Sequence, residues 1–433
     1  MVVVVKNSDA DVSRGASNLT SVSSGQIKSG IEAMHRYMLT LKDKSGDYYH
    51  AGIKPDNHLD KGGNFDYLFG RDSEIFALER MDRDTEVARS TLKALSALQG
   101  SRTDPLNGEQ PGKILHEMPS FNKPNIAWLH QGSPVYFSVD STPLFLVLFA
   151  DYYSITGDPA FKQNAVRAIE WMLNYGIRDG FLRYDKPSKG MGLLSQSWKD
   201  GIGNALEDLA SPVAIVEVQG YAYAALSSRT LQSMAAESDP TLAARMKTAA
   251  AKLKERFNRE FWSEKDQFYY LAIDGDGNKV MKIASNSGHL LYTGIMVREQ
   301  ADAVVKRLFM PDMITKYGIR THSELEPDFN PFEYQRGSVW PHDNWMIAMG
   351  LKKLGYNAEY SRLRDMVLEV WNDFESAPEY VPVGAGSNNR SAIELDDQRL
   401  VSPPCNPQLW TVGAILYFLE ELGQEAGKAG MRN

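Results

Sequence analysis

Apolar residues recur at helical spacing along most of the chain. Between 158 and 176, Phe161, Ala165, Ala168, Ile169, Met172 and Leu173 fall on one face, introduced by Gly157-Asp158-Pro159, and the spacing predicts a helix there. Residues 241–257, 299–309 and 360–373 read the same way. Strand-like alternation is confined to short hairpins, the clearest being Phe268-Tyr269-Tyr270-Leu271 turning at Asp274-Gly275-Asp276-Gly277-Asn278. That turn resembles the start of a calcium loop, but position 12 would be Ser285 where the loop needs a bidentate Glu.

Six polar or aromatic clusters each precede or open an apolar helical run. They are Gly70-Arg71-Asp72-Ser73, Val139-Asp140-Ser141-Thr142-Pro143, Glu217-Val218-Gln219-Gly220-Tyr221, Ser285-Asn286-Ser287-Gly288-His289, Trp340-Pro341-His342-Asp343 and Asn406-Pro407-Gln408-Leu409-Trp410. With Asp72, Asp140, Glu217, Gly288, Asp343 and Gln408 as markers, the intervals are 68, 77, 71, 55 and 65 residues. Each interval holds two helices with their loops. Six such pairs make an all-α (α/α)6 toroid with short β-hairpins in its loops, whose inner helices all start at one funnel. Free N–H groups and polar first-turn residues there suit a hydroxyl-rich ligand. The alternative is that the clusters only cap helices. That accounts for Ser, Asp and Pro, but not for the Arg, Trp, His and Gln beside them.

Composition narrows the function. Of 433 residues 43% are hydrophobic and 24% charged, as in ordinary globular proteins. The net charge of −8, from 47 basic and 55 acidic residues, argues against nucleic-acid binding and suits a neutral small molecule or a sugar. No apolar run approaches the roughly 20 residues of a membrane span, and Met1–Val5 is too short for a signal-peptide core. The single cysteine, Cys405, rules out an internal disulfide framework and points to a reducing cytoplasm. These features predict a cytoplasmic protein with no metal and no cofactor; homo-oligomerisation stays open. The expected organisation is an N-terminal tail over 1–25, one catalytic domain over 26–425 and a C-terminal tail over 426–433.

The motifs of metal and nucleophile chemistry are incomplete. His116-Glu117 has the start of a zinc helix, but Ser120 stands four residues on and Pro119 intervenes. There is no Gly-x-Ser-x-Gly elbow and no phosphate-binding or dinucleotide loop. What remains is carboxylates among aromatic residues, the equipment of glycoside hydrolysis. One carboxylic acid protonates the leaving oxygen, and a second carboxylate activates water or attacks directly. The best acid candidate is Asp200, in the loop Ser195-Gln196-Ser197-Trp198-Lys199-Asp200-Gly201. The best base candidate is Glu379, stiffened by Pro378 and Pro382, with Glu217 and Glu324 as rivals. Trp198, Trp340 and Trp410 are either stacking platforms for a pyranose ring or core residues.

The motifs taken in order resemble the amylo-α-1,6-glucosidase catalytic domain of glycogen debranching enzymes, and more broadly the (α/α)6 glucosidase-like hydrolases. Phe69-Gly70-Arg71-Asp72-Ser73 is similar to that family's Trp-Gly-Arg-Asp-Thr, and Pro111-Gly112-Lys113-Ile114-Leu115-His116-Glu117 to its Gly-x-x-x-His-Glu. Ser138–Phe145 is similar to its Val-Asp-x-x-Leu-Trp/Phe segment, and Trp198-Lys199-Asp200 lies where it has Trp-x-Asp. Gly337-Ser338-Val339-Trp340-Pro341 is similar to its Gly-x-Val-Trp-Pro, and Pro378-Glu379 followed by Pro407-Gln408-Leu409-Trp410 to its Pro-Glu…Pro-Gln-Ala-Trp ending.

The resemblance implies an inverting exo-acting enzyme releasing glucose from an α-glucoside. Asp200 is then the general acid and Glu379 the general base, with carboxyl groups roughly 6.5–9.5 Å apart. It implies that Arg71, Asp72 and Asp140 hold the sugar. His116, Glu117, Trp198, Lys199, Glu217, Trp340, His342, Asp343, Gln408 and Trp410 complete the expected carbohydrate-binding set. Other readings are hydrolysis of a small glycosyl solute such as glucosylglycerate or mannosylglycerate, a sugar epimerase on the same toroid, and a non-catalytic sugar-binding relative.

Overall fold

The structure, a computed structural model, describes residues 24–54, 65–119, 132–201, 206–386, 395 and 397–430. The expected tail over 1–25 lies almost wholly outside the described residues.

The chain enters with helix α1 (Ser24–Leu41). Strand β1 (Leu68–Phe69) runs directly into α2 (Gly70–Arg80), which is followed by α3 (Thr85–Ala97). Strand β2 (Glu117–Met118) pairs antiparallel with β1, placing Glu117 opposite Phe69. Next come α4 (Ser141–Thr156), α5 (Lys162–Trp171), a π-helical turn over Met172–Gly176, and the hairpin of β3 (Ile177–Arg178) and β4 (Phe181–Leu182). Strand β5 (Ala214–Ile215) leads into α6 (Val216–Ser227), then α7 (Arg229–Ser238) and α8 (Pro240–Glu260). Four short strands follow: β6 (Trp262–Ser263), β7 (Phe268–Tyr269), β8 (Ala272–Ile273) and β9 (Lys279–Val280). The last helices are α9 (Asn286–Thr293), α10 (Arg298–Leu308), α11 (Pro341–Leu354), α12 (Asn357–Phe374) and α13 (Leu409–Gly430).

Two kinds of helix alternate, and the sequence shows why. In α4 the run Ser141–Ala150 is buried on every side, so almost no residue faces water. By contrast α8 buries one stripe, with Leu242, Met246, Leu253 and Phe257 at helical spacing. The six wholly or mostly buried helices α2, α4, α6, α9, α11 and α13 pack in that order, and α13 returns to α2 to close the cycle. Each also packs against an amphipathic partner: α3, α5, α8, α10, α12 and, for α13, the first helix α1. Left-handed Gly157, Gly294 and Gly355 end α4, α9 and α11, where a side chain would be strained.

All six polar clusters sit at the N-terminal ends of these buried helices. At five of the six the N-cap side chain makes no capping hydrogen bond, namely Phe69, Asp140, Ile215, Ser285 and Trp340, while at the sixth Gln408 Oε1 accepts from Leu409 N (2.5 Å). The partnered helices α3 and α8 do use Asp84 and Asp239 in that way. Most of the polar residues at the inner helix starts are therefore not spent on capping, which disfavours the capping-only alternative.

Three local expectations are corrected. The helix read over 158–176 starts at Lys162, because Asp158 and Pro159 form a turn in which Asp158 Oδ1 accepts from Ala160 N (3.0 Å). The expected hairpin turns at the right place, but the strands flanking it are β8 and β9, and Phe268-Tyr269 pairs backwards with β6. In that turn Asp274 accepts from the N–H groups of Asp276 and Asn278 (3.0 and 2.8 Å), so its carboxylate serves the turn itself. Helix α13 also runs on to Gly430, past residue 426 where the sequence places a C-terminal tail.

The inner helices approach closely through glycine. A Cβ on Gly350 of α11 would lie 2.5 Å from Leu291 Cβ and 2.6 Å from Tyr292 N of α9, and backbone cannot yield. Gly350→Ala is expected to destabilise the protein by about 3 kcal/mol through overpacking, read as a lowered thermal midpoint. An unchanged midpoint would contradict this packing.

Candidate active site

The starts of α2 and α4 bring Arg71 and Asp140 together. Arg71 is buried, and its Nη1 donates to Asp140 Oδ2 at 3.1 Å. Its Nη2 donates to Asp200 Oδ2 at 2.8 Å, tying the first helix of the cycle to the loop before β5. Asp140 is held on its other oxygen by Ser138 Oγ (2.6 Å). Asp72, next to Arg71 on α2, accepts from Gln408 Nε2 at 3.3 Å, a residue that immediately precedes α13. The first and last inner helices thus meet through the site's own side chains.

Asp200 and Glu379 come from loops on different sides. Asp200 keeps 20% of its side chain exposed, whereas Arg71, Asp72, Asp140 and Glu379 are each 5% exposed or less. Glu379 accepts from Tyr334 Oη on Oε1 and from Cys405 N on Oε2 (3.1 Å), and its own N–H donates to Cys405 O (2.8 Å). Burial raises the pKa of Asp200, with the Arg71 charge opposing it and Asp140 adding to it. Burial also raises Glu379, opposed by the Lys54 charge, the Tyr334 hydroxyl and the Cys405 N–H, while Asp200 adds to the rise. Asp72 is pushed up to about 7, first by burial, with Arg71 opposing and Asp200, Glu379 and Asp140 reinforcing it. These carboxyls therefore feel one another's charge, as members of one site do.

The three tryptophans join an aromatic cluster against this group. Trp198, Trp340 and Trp410 are 1%, 0% and 3% exposed, which leaves little ring face open. His342 stacks on Trp410 at 3.7 Å and meets Trp198 edge-on at 5.1 Å, and the Arg71 guanidinium lies 6.0 Å over the Trp410 ring. Trp340 packs under Tyr380 and meets Tyr334 edge-on (4.9 Å).

Other expected site residues form a second, more deeply buried group joined to the first through Trp198. Lys199 donates to Thr321 O (2.5 Å) and lies 4.9 Å over the Trp198 ring. Burial lowers its pKa to about 8, opposed by Asp343 and Glu217. Asp343 is paired with His289 (2.7 Å), which Tyr221 meets at its other nitrogen (2.5 Å). Glu217 is fully buried, and burial raises its pKa. His116 and Glu117 stand beside the start of α2, with Glu117 bound by Tyr67 Oη (2.8 Å) and His116 edge-on to Phe69 (5.6 Å). Of the rival bases, Glu324 is pinned by Arg320 Nη2 (2.6 Å) and Gly386 N (2.9 Å), which gives it a loop-bracing role.

Sequence reasoning missed Tyr334 and Gln335, which touch Glu379 and the Asp200 loop respectively. The available signal was position, since they lie just ahead of the Gly337–Trp340 motif. Among the described residues one group has metal-ligand spacing, His322, Glu326 and Asp328, with ligand atoms within 4.8 Å of one another. Lys282 already places its ammonium 2.6 Å from Asp328 and 3.4 Å from Glu326.

The Asp72 shift has a sign that can be measured. Its folded pKa of about 7 exceeds that of an unfolded Asp, near 3.9, so the folded state retains a proton that the unfolded chain releases between those values. Its contribution to stability is full below about pH 4 and is lost as the pH rises through 7. Asp72→Asn is expected to be more stable than the native protein at pH 8, by about 2–4 kcal/mol, with the gap closing at pH 4–5. Parallel plots of thermal midpoint against pH would contradict the shift.

Among the described residues, no helix is long and apolar enough to cross a membrane. The family model of the mannosylglycerate hydrolase MGH1-like glycoside hydrolase domain matches residues 149–381, more than half of the chain. A mannosylglycerate hydrolase of Rubrobacter radiotolerans is 27% identical over 149 residues, 33% of each chain. Mannosylglycerate hydrolase MGH1 of Selaginella moellendorffii is 36% identical over 123 residues, 27% of this chain and 25% of that protein. The matches thus span a third or less of the curated relatives' length. A crystal structure of GH63 mannosylglycerate hydrolase from Thermus thermophilus in complex with glucose superposes with a TM-score of 0.63 at 15% identity, covering 90% of this chain and 99% of that one. This corrects the resemblance drawn from the motifs: they belong to six-hairpin glycosidases broadly and do not single out the glycogen debranching family. The chain belongs to the mannosylglycerate hydrolase MGH1-like glycoside hydrolase domain family.

Proposed function

We propose that the protein hydrolyses a small α-glycosyl solute of the mannosylglycerate or glucosylglycerate kind, with inversion, on an (α/α)6 toroid. The relatives' names favour this reading over release of glucose from an α-glucan. The closed cycle of six buried helices, each with an amphipathic partner, supports the toroid.

One observation carries the chemistry: two carboxyls on separate loops, each held by its own donors, with the charge of Asp200 adding to the raised pKa of Glu379. Asp200 is the more exposed of the two and gives its proton to the glycosidic oxygen. Arg71 holds its Oδ2, so the proton sits on the other oxygen. Glu379 takes a proton from water, which attacks the anomeric carbon from the face opposite the leaving group. Tyr334 and Cys405 occupy one lone-pair direction on each Glu379 oxygen and fix the carboxylate's plane, leaving a second direction for water. Arg71, Asp72, Asp140 and Gln408 bind hydroxyls around the sugar by charge-assisted hydrogen bonds. Trp198, Trp340, Trp410 and His342 back them as a rigid apolar wall, which keeps the Asp200 pKa raised.

Hydrolysis of mannosylglycerate, glucosylglycerate, isomaltose and maltooligosaccharides, followed as released sugar, tests the substrate class. A glycosylglycerate is expected to be turned over far faster than either glucan fragment, and the opposite order would contradict the proposal. Asp200→Asn and Glu379→Gln should each lose about a thousandfold or more in kcat. The rate should rise with pH as Glu379 ionises and fall as Asp200 loses its proton. Both limbs should lie above the ordinary carboxylate range, because burial raises both groups.

A further inference from the structure

Asp200 lies in a loop whose backbone is held by a side chain from a distant part of the chain. In the segment Trp198-Lys199-Asp200-Gly201, the carbonyl of the first residue and the N–H of the fourth flank Asp200. Here the side-chain amide of Gln335 stands between them. Its Nε2 donates to Trp198 O at 2.6 Å, and its Oε1 accepts from Gly201 N at 2.9 Å. One amide thus pairs with the backbone on both sides of Lys199 and Asp200 and fixes the segment that carries the Asp200 carboxyl. The fit is close, since a Cβ on Gly201 would lie 3.0 Å from Gln335 Oε1 and 3.1 Å from Tyr334 Cδ1.

The neighbouring residue holds the base. Tyr334 donates to Glu379 Oε1, and its carbonyl accepts from Ser338 Oγ (2.7 Å) and Trp340 Nε1 (3.1 Å). Its ring is packed edge-on against Trp340 and Tyr380. Gln335 is itself 4% exposed, so both anchors are shielded from competing water. The acid loop and the base therefore hang from two consecutive residues, whose Cα atoms are about 3.8 Å apart in any trans peptide.

We propose that Gln335 is a positioning residue for the general acid, and that the Tyr334-Gln335 dipeptide sets the spacing between acid and base. This rests on the reading of Asp200 as acid and Glu379 as base. A misplaced acid loses proton transfer steeply with distance, while the rest of the sugar site, built on α2, α4 and α13, is left in place. The effect should depend on the leaving group. An alkoxide such as that of glycerate needs protonation as it departs; fluoride needs little.

The experiment compares mannosylglycerate with α-mannosyl fluoride on four variants. Gln335→Ala is expected to lower kcat on mannosylglycerate about 100-fold with KM changed less than about threefold, and kcat on the fluoride less than about fivefold. Tyr334→Phe should depress both substrates alike, because the base serves both. Gln335→Glu keeps the acceptor for Gly201 N but donates to Trp198 O only when protonated. Its activity on mannosylglycerate, relative to native enzyme at each pH, should therefore recover as the pH falls. Equal losses on both substrates for Gln335→Ala, or no pH-dependent recovery for Gln335→Glu, would overturn the proposal. If Gln335→Ala does not fold, the Gln335→Glu profile decides alone. Asp200→Asn separates the two levels of argument: a ratio of glycoside to fluoride rates equal to that of native enzyme would overturn the acid assignment itself.

Discussion

The site depends on one buried guanidinium. Arg71 touches Asp140 and Asp200 directly and acts on Asp72 beside it, so one positive charge is shared among three carboxyls removed from water. Isolated burial of so many like charges would be strongly unfavourable. Two features make it tolerable. The carboxylates of Asp72 and Asp140 lie at the N-terminal ends of α2 and α4, where the exposed N–H groups favour negative charge. Burial also raises the pKa of Asp72, Asp200 and Glu379, so each gives up its proton at a higher pH than an ordinary carboxyl. A general acid must hold a proton at working pH, so the strain of burial is also what equips Asp200 for its proposed role.

The fold supplies this arrangement by closing a cycle of helices that all begin at the same end of the site. Asp72 and Gln408 lie 336 residues apart in sequence yet bond across the junction between α2 and α13. Close approach through Gly350, and through Gly413, whose Cβ would fall 1.9 Å from Glu79 Oε2, lets the inner helices pack tightly enough to bring such distant residues together. Binding and architecture are therefore hard to separate. The same side chains that would grip a sugar join the first inner helix to the last.

Much of this was legible in the sequence because its causes are local. Apolar spacing and the polar clusters located every inner helix start, and the aromatic company of Asp200 and Glu379 marked them before any geometry was known. What escaped depended on distant contacts. Nothing around Gln335 shows that its amide would bridge a loop 134 residues earlier, nor does His289 reveal its pairing with Asp343. The backward pairing of Phe268-Tyr269 escaped for a related reason, since an alternating run does not say on which side its partner lies. The family was misread because Gly-Arg-Asp, Val-Asp, Trp-x-Asp and Pro-Glu belong to six-hairpin glycosidases broadly and do not single out one family among them.

The central claim is that Asp200 and Glu379 act on opposite faces of the sugar with a water between them. The stereochemistry of the first product reports this most directly. Proton NMR of the hydrolysis of mannosylglycerate, recorded before mutarotation, distinguishes the anomers of the released sugar. The account predicts β-mannose from the α-linked substrate. α-Mannose appearing first would mean that a carboxylate had attacked the sugar itself, and would contradict the assignment of Glu379 as a base acting through water.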